Sequence, residues 1–257
     1  MSLTPLICPI ALKIFFIFKL KNGFFSNKIY KEGDKMINLT NVQYSYKKKK
    51  VLDVKELIIN DGEKIAIMGL NGSGKTTLVE LILNLRSKYK GTFKCDTDYI
   101  YNAVFQESSF HADISIKDIF YLYCKLYKIE RNHDEYFKNF QLLEVENNQF
   151  KKISGGQQQK FKFLIALLND PNFLVLDEIS TSLDYEWRVK IIDIIYEYVF
   201  QNKNITLLLV SHNPEEIAKI CERILILEKG QIIQDIKLLG NYEDKIKQIE
   251  QLVRKNV

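Results

Sequence analysis

The stretch Gly69-Leu70-Asn71-Gly72-Ser73-Gly74-Lys75-Thr76 fits the pattern G-x-x-x-x-G-K-[ST]. It follows directly on Lys64-Ile65-Ala66-Ile67-Met68, a short apolar run with the length and composition of a buried strand. Strand, glycine-rich loop and helix in that order leave few architectures open, and all of them are α/β. In such a loop the glycines let backbone N–H groups converge on phosphate oxygens, and the helix opening near Lys75 adds its positive end. Gly69, Asn71, Gly72, Ser73, Gly74, Lys75, Thr76 and Thr77 are therefore the candidate phosphate cradle, with Lys75 reaching the outer phosphates and Thr76 ligating Mg2+. A glycine-rich strand-to-helix turn with a surface lysine is the alternative, and the flanking elements favour the cradle.

A second apolar run, Phe173-Leu174-Val175-Leu176, has strand length and ends in Asp177-Glu178. Acids at the end of a central parallel strand sit at the carboxyl edge of the sheet, beside the phosphate loop, where such sheets bind ligands. Asp177 is placed to hold a magnesium shell through water, and Glu178 to polarise an attacking water. Many buried strands also end in solvated acids, so the pair alone leaves both readings open.

The segment Ile153-Ser154-Gly155-Gly156-Gln157-Gln158-Gln159-Lys160 resembles the signature of ATP-binding cassette (ABC) proteins, and it lies shortly before the acidic strand, as that family requires. The resemblance implies a P-loop NTPase of ABC ATPase type: a mainly parallel sheet core, an antiparallel β-subdomain and a helical subdomain. It further implies that Ser154, Gly155, Gly156 and Gln157 face the nucleotide of a second subunit, a hydroxyl and a helix start being suited to grip a γ-phosphate. Tyr46 resembles the aromatic that stacks on adenine. Gln106 resembles the glutamine that touches Mg2+ and the attacking water and links the site to a membrane partner. Ser182-Leu183-Asp184 resembles the loop that crosses the dimer interface, although a solvated helix cap would look the same. His212 follows the apolar run Thr206–Val210 and Ser211, and resembles the family's γ-phosphate sensor. His111 and His133 have no comparable context.

The chain also departs from the family pattern. Ile179 stands where a proline is usual after the acidic pair, which implies a less rigid path into Ser180-Thr181-Ser182. Ile153 replaces the usual leucine. The interval between Lys75 and Gln106 is short, which implies a trimmed β-subdomain.

The organisation expected from the pattern is an extension over residues 1–35, one ATPase domain over 36–235 and a helical tail over 236–257. Ile37–Tyr46 and Glu56–Ile59 read as strands, with Asn60-Asp61-Gly62 as a hairpin turn into the loop strand. A helix over Thr76–Leu85 and a strand over Tyr99–Phe105 follow. Ile116–Tyr127 reads as a helix capped by Ser115 and Asp118, with a core-facing aromatic stripe. Phe110, Ile114 and Ile116 are either partly exposed contacts for a membrane subunit or simply buried. A helix over Glu215–Cys221, strands over Arg223–Leu227 and from Ile232, and an amphipathic tail helix through Ile246, Ile249, Leu252 and Val253 complete the reading.

The formal charge of +5 does not mark a nucleic-acid binder. Residues 1–35 hold Lys13, Lys19, Lys21, Lys28, Lys31 and Lys35 against Glu32 and Asp34, so the ATPase body is nearly neutral. Cys8, Cys95, Cys124 and Cys221 lack metal-type spacing and fit a reducing compartment. Leu6–Leu20 is apolar but broken by Lys13 and Lys19, too short for a span of about 20 residues. It is an interfacial helix, a signal-like segment or non-native sequence. Lys31-Glu32-Gly33 can be encoded by a ribosome-binding sequence upstream of Met36, and on that ground Met36 is the expected start.

The expectation is thus an ATP- and Mg2+-dependent ATPase subunit that pairs as a homodimer or heterodimer and drives a separate transmembrane permease from the cytoplasmic face of the membrane, without binding nucleic acid. The alternative is a soluble cassette ATPase acting in DNA repair, chromosome organisation or translation. Against it, the chain has neither an inserted coiled coil nor a second cassette.

Overall fold

Two β-sheets of different size share the chain. The computed structural model describes residues 36–47, 49–95, 99–105, 110, 113–180, 183–201 and 205–256. Residues 1–35, Gln106, His111, Thr181 and Ser182 lie outside them, and with them the expectations placed on those residues.

From the N-terminal end, β1 (Met36–Tyr46) turns through Lys47 into β2 (Lys49–Asn60), and the two run antiparallel along their whole length. The chain continues through β3 (Lys64–Met68), α1 (Lys75–Ile82), β4 (Lys90–Cys95) and β5 (Tyr101–Val104) into the helical part, α2 (Ile116–Tyr127), α3 (His133–Asn139) and α4 (Gly155–Leu167). It returns through β6 (Phe173–Asp177), α5 (Tyr185–Gln201), β7 (Thr206–Val210), α6 (Pro214–Ile220), β8 (Arg223–Glu228), β9 (Gln231–Lys237) and α7 (Tyr242–Asn256). The small sheet has the order β2-β1-β4. The large one has the order β5-β6-β7-β3-β8-β9, with every pair parallel except β8 and β9. This is the mainly parallel core with an antiparallel β-subdomain and a helical subdomain that the sequence led us to expect, and β4 is the single β-subdomain strand described between Lys75 and residue 105.

One expectation is corrected. Asn60-Asp61-Gly62 makes a tight turn, with Gly62 at φ 76° and the Glu63 N–H donating to the Asn60 carbonyl at 3.2 Å, but it does not close a hairpin. β2 pairs with β1 in the small sheet, whereas β3 pairs with β7 and β8 in the large one. The turn is a crossing between sheets, and its residue types are those a hairpin would also use. The helix expected over Thr76–Leu85 is likewise shorter. Asn84 adopts a left-handed φ of 55°, and the Asn84 and Leu85 N–H groups donate back to the Leu81 and Glu80 carbonyls, a closing pattern that stops α1.

The central strands β3, β6 and β7 of the large sheet are buried on both faces, so alternate residues enter separate cores. Ile65, Ile67, Val175, Leu208, Val210 and Leu225 face α1 and the small sheet, while Ala66, Met68, Leu174, Leu176, Leu207 and Leu209 face the helical layer. In that second layer α2 is fixed by the expected capping box, Ser115 Oγ accepting from the Asp118 N–H at 3.1 Å and Asp118 accepting from the Ser115 N–H at 3.3 Å. Phe120 and Tyr123 of its aromatic stripe are fully buried. Phe110 and Ile116 are core residues at 5% and 0% exposure, so for these two burial holds, whereas Ile114 is only partly buried at the edge of the same core. In α7, Ile249 is fully buried, and Ile246, Leu252 and Val253 pack beside it on the same core.

Candidate functional site

β3 ends at Met68, and the chain turns through Gly69 at φ 144° and Gly74 at φ 107°, conformations that side chains disfavour. A Cβ at Gly69 would lie 2.2 Å from the Leu227 carbonyl oxygen of neighbouring β8, so the loop fits closely against the sheet. The loop is braced from outside as well. The Gly230 N–H donates to the Ser73 carbonyl at 2.8 Å, and the Gly230 carbonyl accepts from the Asp53 N–H at 2.8 Å, which ties the β8–β9 turn and β2 to the cradle. Sequence reasoning found no part for Gly230, although a glycine in a turn between strands was visible.

Lys75 opens α1 and is 8% exposed, its Nζ donating to the Gly69 carbonyl at 2.6 Å and the Leu70 carbonyl at 3.2 Å. Burial pulls its pKa below the ordinary lysine value, opposed by the charges of Glu178 and Asp177. Thr77 and Ser73 are buried, and the Ser73 Oγ is a buried polar atom with no hydrogen-bond partner among the described residues. Asn71, Gly72 and Thr76 lie at the surface of the loop, with Gly72 also at a positive φ of 80°.

β6 carries Asp177 to the same edge. Asp177 is 7% exposed and its pKa is pushed up to about 6, first by burial and then by Glu178, against Lys75 and a hydrogen bond with Thr76. Successive residues of an extended strand point to opposite faces, which would separate the two acids. Glu178 instead takes a left-handed φ of 50°, while its N–H still donates to the Val210 carbonyl of β7 at 2.9 Å. A non-glycine residue rarely adopts that backbone, and such departures gather at functional sites. Ile179, where the family has proline, is 2% exposed and belongs to the core.

β7 delivers His212. Its Nε2 lies 3.8 Å from Glu178 Oε1, beyond hydrogen-bond range, and half of the side chain is exposed. Burial of the other half lowers its pKa, Lys75 adds to this, and Glu178 opposes it. The loop holding His212 is set by groups the sequence did not single out. Buried Ser211 donates from Oγ to Glu216 Oε2 at 2.7 Å and accepts from the Asn213 N–H at 3.0 Å, and Asn213 caps α6 by accepting from the Glu215 N–H at 2.9 Å.

Three other expected positions stand apart from this cluster. Ser154 caps α4, its Oγ accepting from the Gln157 N–H at 3.2 Å while Gln157 Oε1 accepts from the Ser154 N–H at 2.9 Å. Ser154 and Gly155 are exposed, and a Cβ at Gly155 would meet nothing within 4 Å. No hydrogen bond among the described residues joins Ser154, Gly155, Gly156 or Gln157 to the phosphate loop. Asp184 is exposed and begins α5, its Oδ1 accepting from the Trp187 N–H at 2.9 Å, so a helix cap is what the structure shows there. Tyr46 is 41% exposed at the end of β1. The hairpin it begins returns along β2, where Val51 and Leu52 lie against Gly74.

Lys75, Asp177, Glu178 and His212 therefore meet at the carboxyl ends of the adjacent strands β3, β7 and β6, the edge at which open α/β sheets bind ligands.

Comparison with known proteins points the same way. An uncharacterised ABC transporter ATP-binding protein of Methanocaldococcus jannaschii is 28% identical over 213 residues, 81% of this chain and 78% of its own length. The spermidine/putrescine import ATP-binding protein PotA of Haemophilus influenzae is 29% identical over 223 residues, 81% of this chain, which spans only 60% of that protein's length. Among solved structures, the ATP-binding cassette MJ0796, a dimer in a post-hydrolysis state with ADP and phosphate, superposes with a TM-score of 0.69 at 24% identity over 79% of this chain and 99% of that one. The ATP-binding subunit of an ABC transporter gives a TM-score of 0.69 at 18% identity, covering 84% of this chain and 99% of the other. These last two likenesses show a shared fold. The profile of the family described as ABC transporter matches residues 52–181, which run from β2 through the phosphate loop and the signature helix past the acidic pair, and on that match over half of its length the chain belongs to the ABC transporter family and carries its ATP-binding cassette.

Proposed function

We propose that the chain is the ATP-binding and ATP-hydrolysing subunit of an ABC transporter, in which nucleotide-driven pairing and hydrolysis work a separate transmembrane subunit. The observation that carries the reading is the meeting of a buried lysine, two carboxylates and a histidine at the ends of three adjacent strands, one of those carboxylates held at a left-handed φ of 50°. Lys75 and the loop N–H groups bind the outer phosphates of ATP. Tyr46 stacks on the adenine. Glu178 accepts a proton from the attacking water, and His212 hydrogen-bonds the transferring phosphoryl group. Thr76 and Asp177 would hold Mg2+, which when bound neutralises charge on the phosphate oxygens. Among the described residues no cluster of three or more His, Cys, Asp and Glu could hold a metal alone, so the ion's remaining ligands would come from phosphate and water.

The signature tip is exposed and does not meet the chain's own phosphate loop, which supports a site completed between two subunits. The Ser154 hydroxyl accepts within its capping box and keeps its own proton to donate. Asp184 and Gln157 would lie at that junction, and Gln106 would face Mg2+ and the permease. Among the described residues no helix is long and apolar enough to cross a membrane, in keeping with a permease on another chain and a place at the cytoplasmic face. In this reading residues 36–235 form the ATPase domain and 236–257 its tail.

The test is ATP turnover by Glu178→Gln. ATP binding is retained and hydrolysis falls at least about tenfold, as loss of a general base requires. An unchanged rate removes Glu178 from its role.

A further inference from the structure

Arg86 lies four residues beyond the end of α1, outside every motif above, yet it is held in place from two sides. Its Nε donates to Glu80 Oε2 at 2.8 Å, and its Nη2 lies 2.7 Å from the same oxygen. Its guanidinium carbon stands 5.0 Å from the ring centre of Tyr46 and 6.0 Å from that of Tyr44. The two tyrosines meet edge to face, with centres 5.1 Å apart and planes at 88°. Tyr44 is buried and Tyr46 is 41% exposed. Tyr46 therefore has a neighbouring ring on one side, a clamped cation over its ring and open surface beyond.

We propose that Arg86 is a positioning residue for the adenine of ATP: clamped by Glu80, its guanidinium backs one face of Tyr46 and presents the opposite face to the base. This rests on the reading of Tyr46 as the adenine-stacking residue. Two physical effects carry it. Tyr46 ends a strand beside the left-handed Lys47, and a ring free to turn there would lose rotamer freedom when a base stacks on it. A ring already packed between Tyr44 and Arg86 has largely met that cost. The face of a phenol ring is also electron-rich, and a cation on one side offsets the repulsion of an electron-rich purine on the other. A neutral or loose side chain at position 86 gives neither effect. The phosphates, bound at Lys75 and the loop, do not touch this stack.

The test compares binding of MgATP with binding of magnesium tripolyphosphate, which has the phosphates without the base, by calorimetry on the full chain carrying Glu178→Gln. Arg86→Met keeps the aliphatic stem and removes the cation. It weakens ATP by roughly three- to tenfold and leaves tripolyphosphate unchanged within the error of the titration. Arg86→Lys, which keeps the charge but not the planar fork, falls between the two and serves also if Arg86→Met does not fold. Equal ATP affinity in both variants, or equal losses for ATP and tripolyphosphate, overturns the assignment of Arg86 while leaving the ATPase reading intact. A chain with Arg86 in place that binds neither ligand overturns both.

Discussion

His212 Nε2 and Glu178 Oε1 face each other at 3.8 Å across the ends of two neighbouring parallel strands, and the Glu178 N–H is itself bonded to the Val210 carbonyl of the strand that carries the histidine. The backbone bond ties the two strand ends together and holds both side chains at one edge. In the proposed reading, a water attacking a phosphate bound at Lys75 would approach beside this pair. If the two act on one transition state, their losses do not add. His212→Ala alone lowers ATP turnover at least about tenfold, and in the Glu178→Gln background it costs little more. Rates of the two single variants and the double variant check this. Full additivity would mean that the residues act separately.

Gly69 is predicted to tolerate no side chain. At φ 144° any Cβ is strained, and here it would lie 2.2 Å from the Leu227 carbonyl oxygen, a backbone atom that cannot turn away. Gly69→Ala loses about 2 kcal/mol of stability or more and most of its ATP affinity, measured by urea denaturation and nucleotide titration. Gly72→Ala, with nothing within 4 Å of the added atom, pays only for its φ of 80° and retains more of both.

Ser154 separates two roles. As the cap of α4 its hydroxyl accepts from the Gln157 N–H, and Ser154→Ala costs about 1 kcal/mol of stability. As a donor to a nucleotide held by another subunit, it contributes only on pairing. The variant therefore binds ATP as well as the parent chain while ATP-driven association weakens roughly tenfold, the scale of a hydrogen bond to a charged group. Sedimentation at several protein concentrations distinguishes this from a purely structural cap, which would leave association unchanged.

The helical layer depends on an aromatic cluster. Phe161 of α4 is fully buried, with Phe110 at 5.4 Å, Phe150 at 6.1 Å and Phe137 at 6.2 Å between ring centres. Phe161→Ala loses about 3–5 kcal/mol. Since the same helix presents Ser154 and Gly155, pairing weakens with it, and chemical denaturation gives the size of the loss.

The sequence carried the site where chemistry demands particular residue types at fixed spacing. A phosphate loop needs its glycines and lysine next to one strand and one helix, so β3, α1 and Lys75 could be read directly. The Ser115 and Asp118 cap and the buried face of α2 were equally legible, because a capping box and a 3.6-residue period specify both. What sequence could not give was which sheet a strand joins. The apolar end of β2, Leu57-Ile58-Ile59, and apolar β3 meet at Asn60-Asp61-Gly62, and that turn serves a hairpin and a crossing between sheets equally well. The left-handed Asn84 that ends α1 was a signal passed over, since asparagine is one of the few residues suited to that position. The brace of Gly230 on Ser73, the hold of Glu216 on Ser211 and the stack of Arg86 on Tyr46 join residues far apart in the chain or lying outside any motif, and only the fold brings them together.

Purified chain carrying Glu178→Gln, given ATP and Mg2+ and measured for mass in solution with its bound nucleotide counted, tests the account most directly. A dimer retaining two ATP molecules, which reverts to monomer when Ser154 is replaced by alanine, is the predicted result. A species that stays monomeric at all nucleotide concentrations, or a dimer that forms without ATP and holds none, would contradict it.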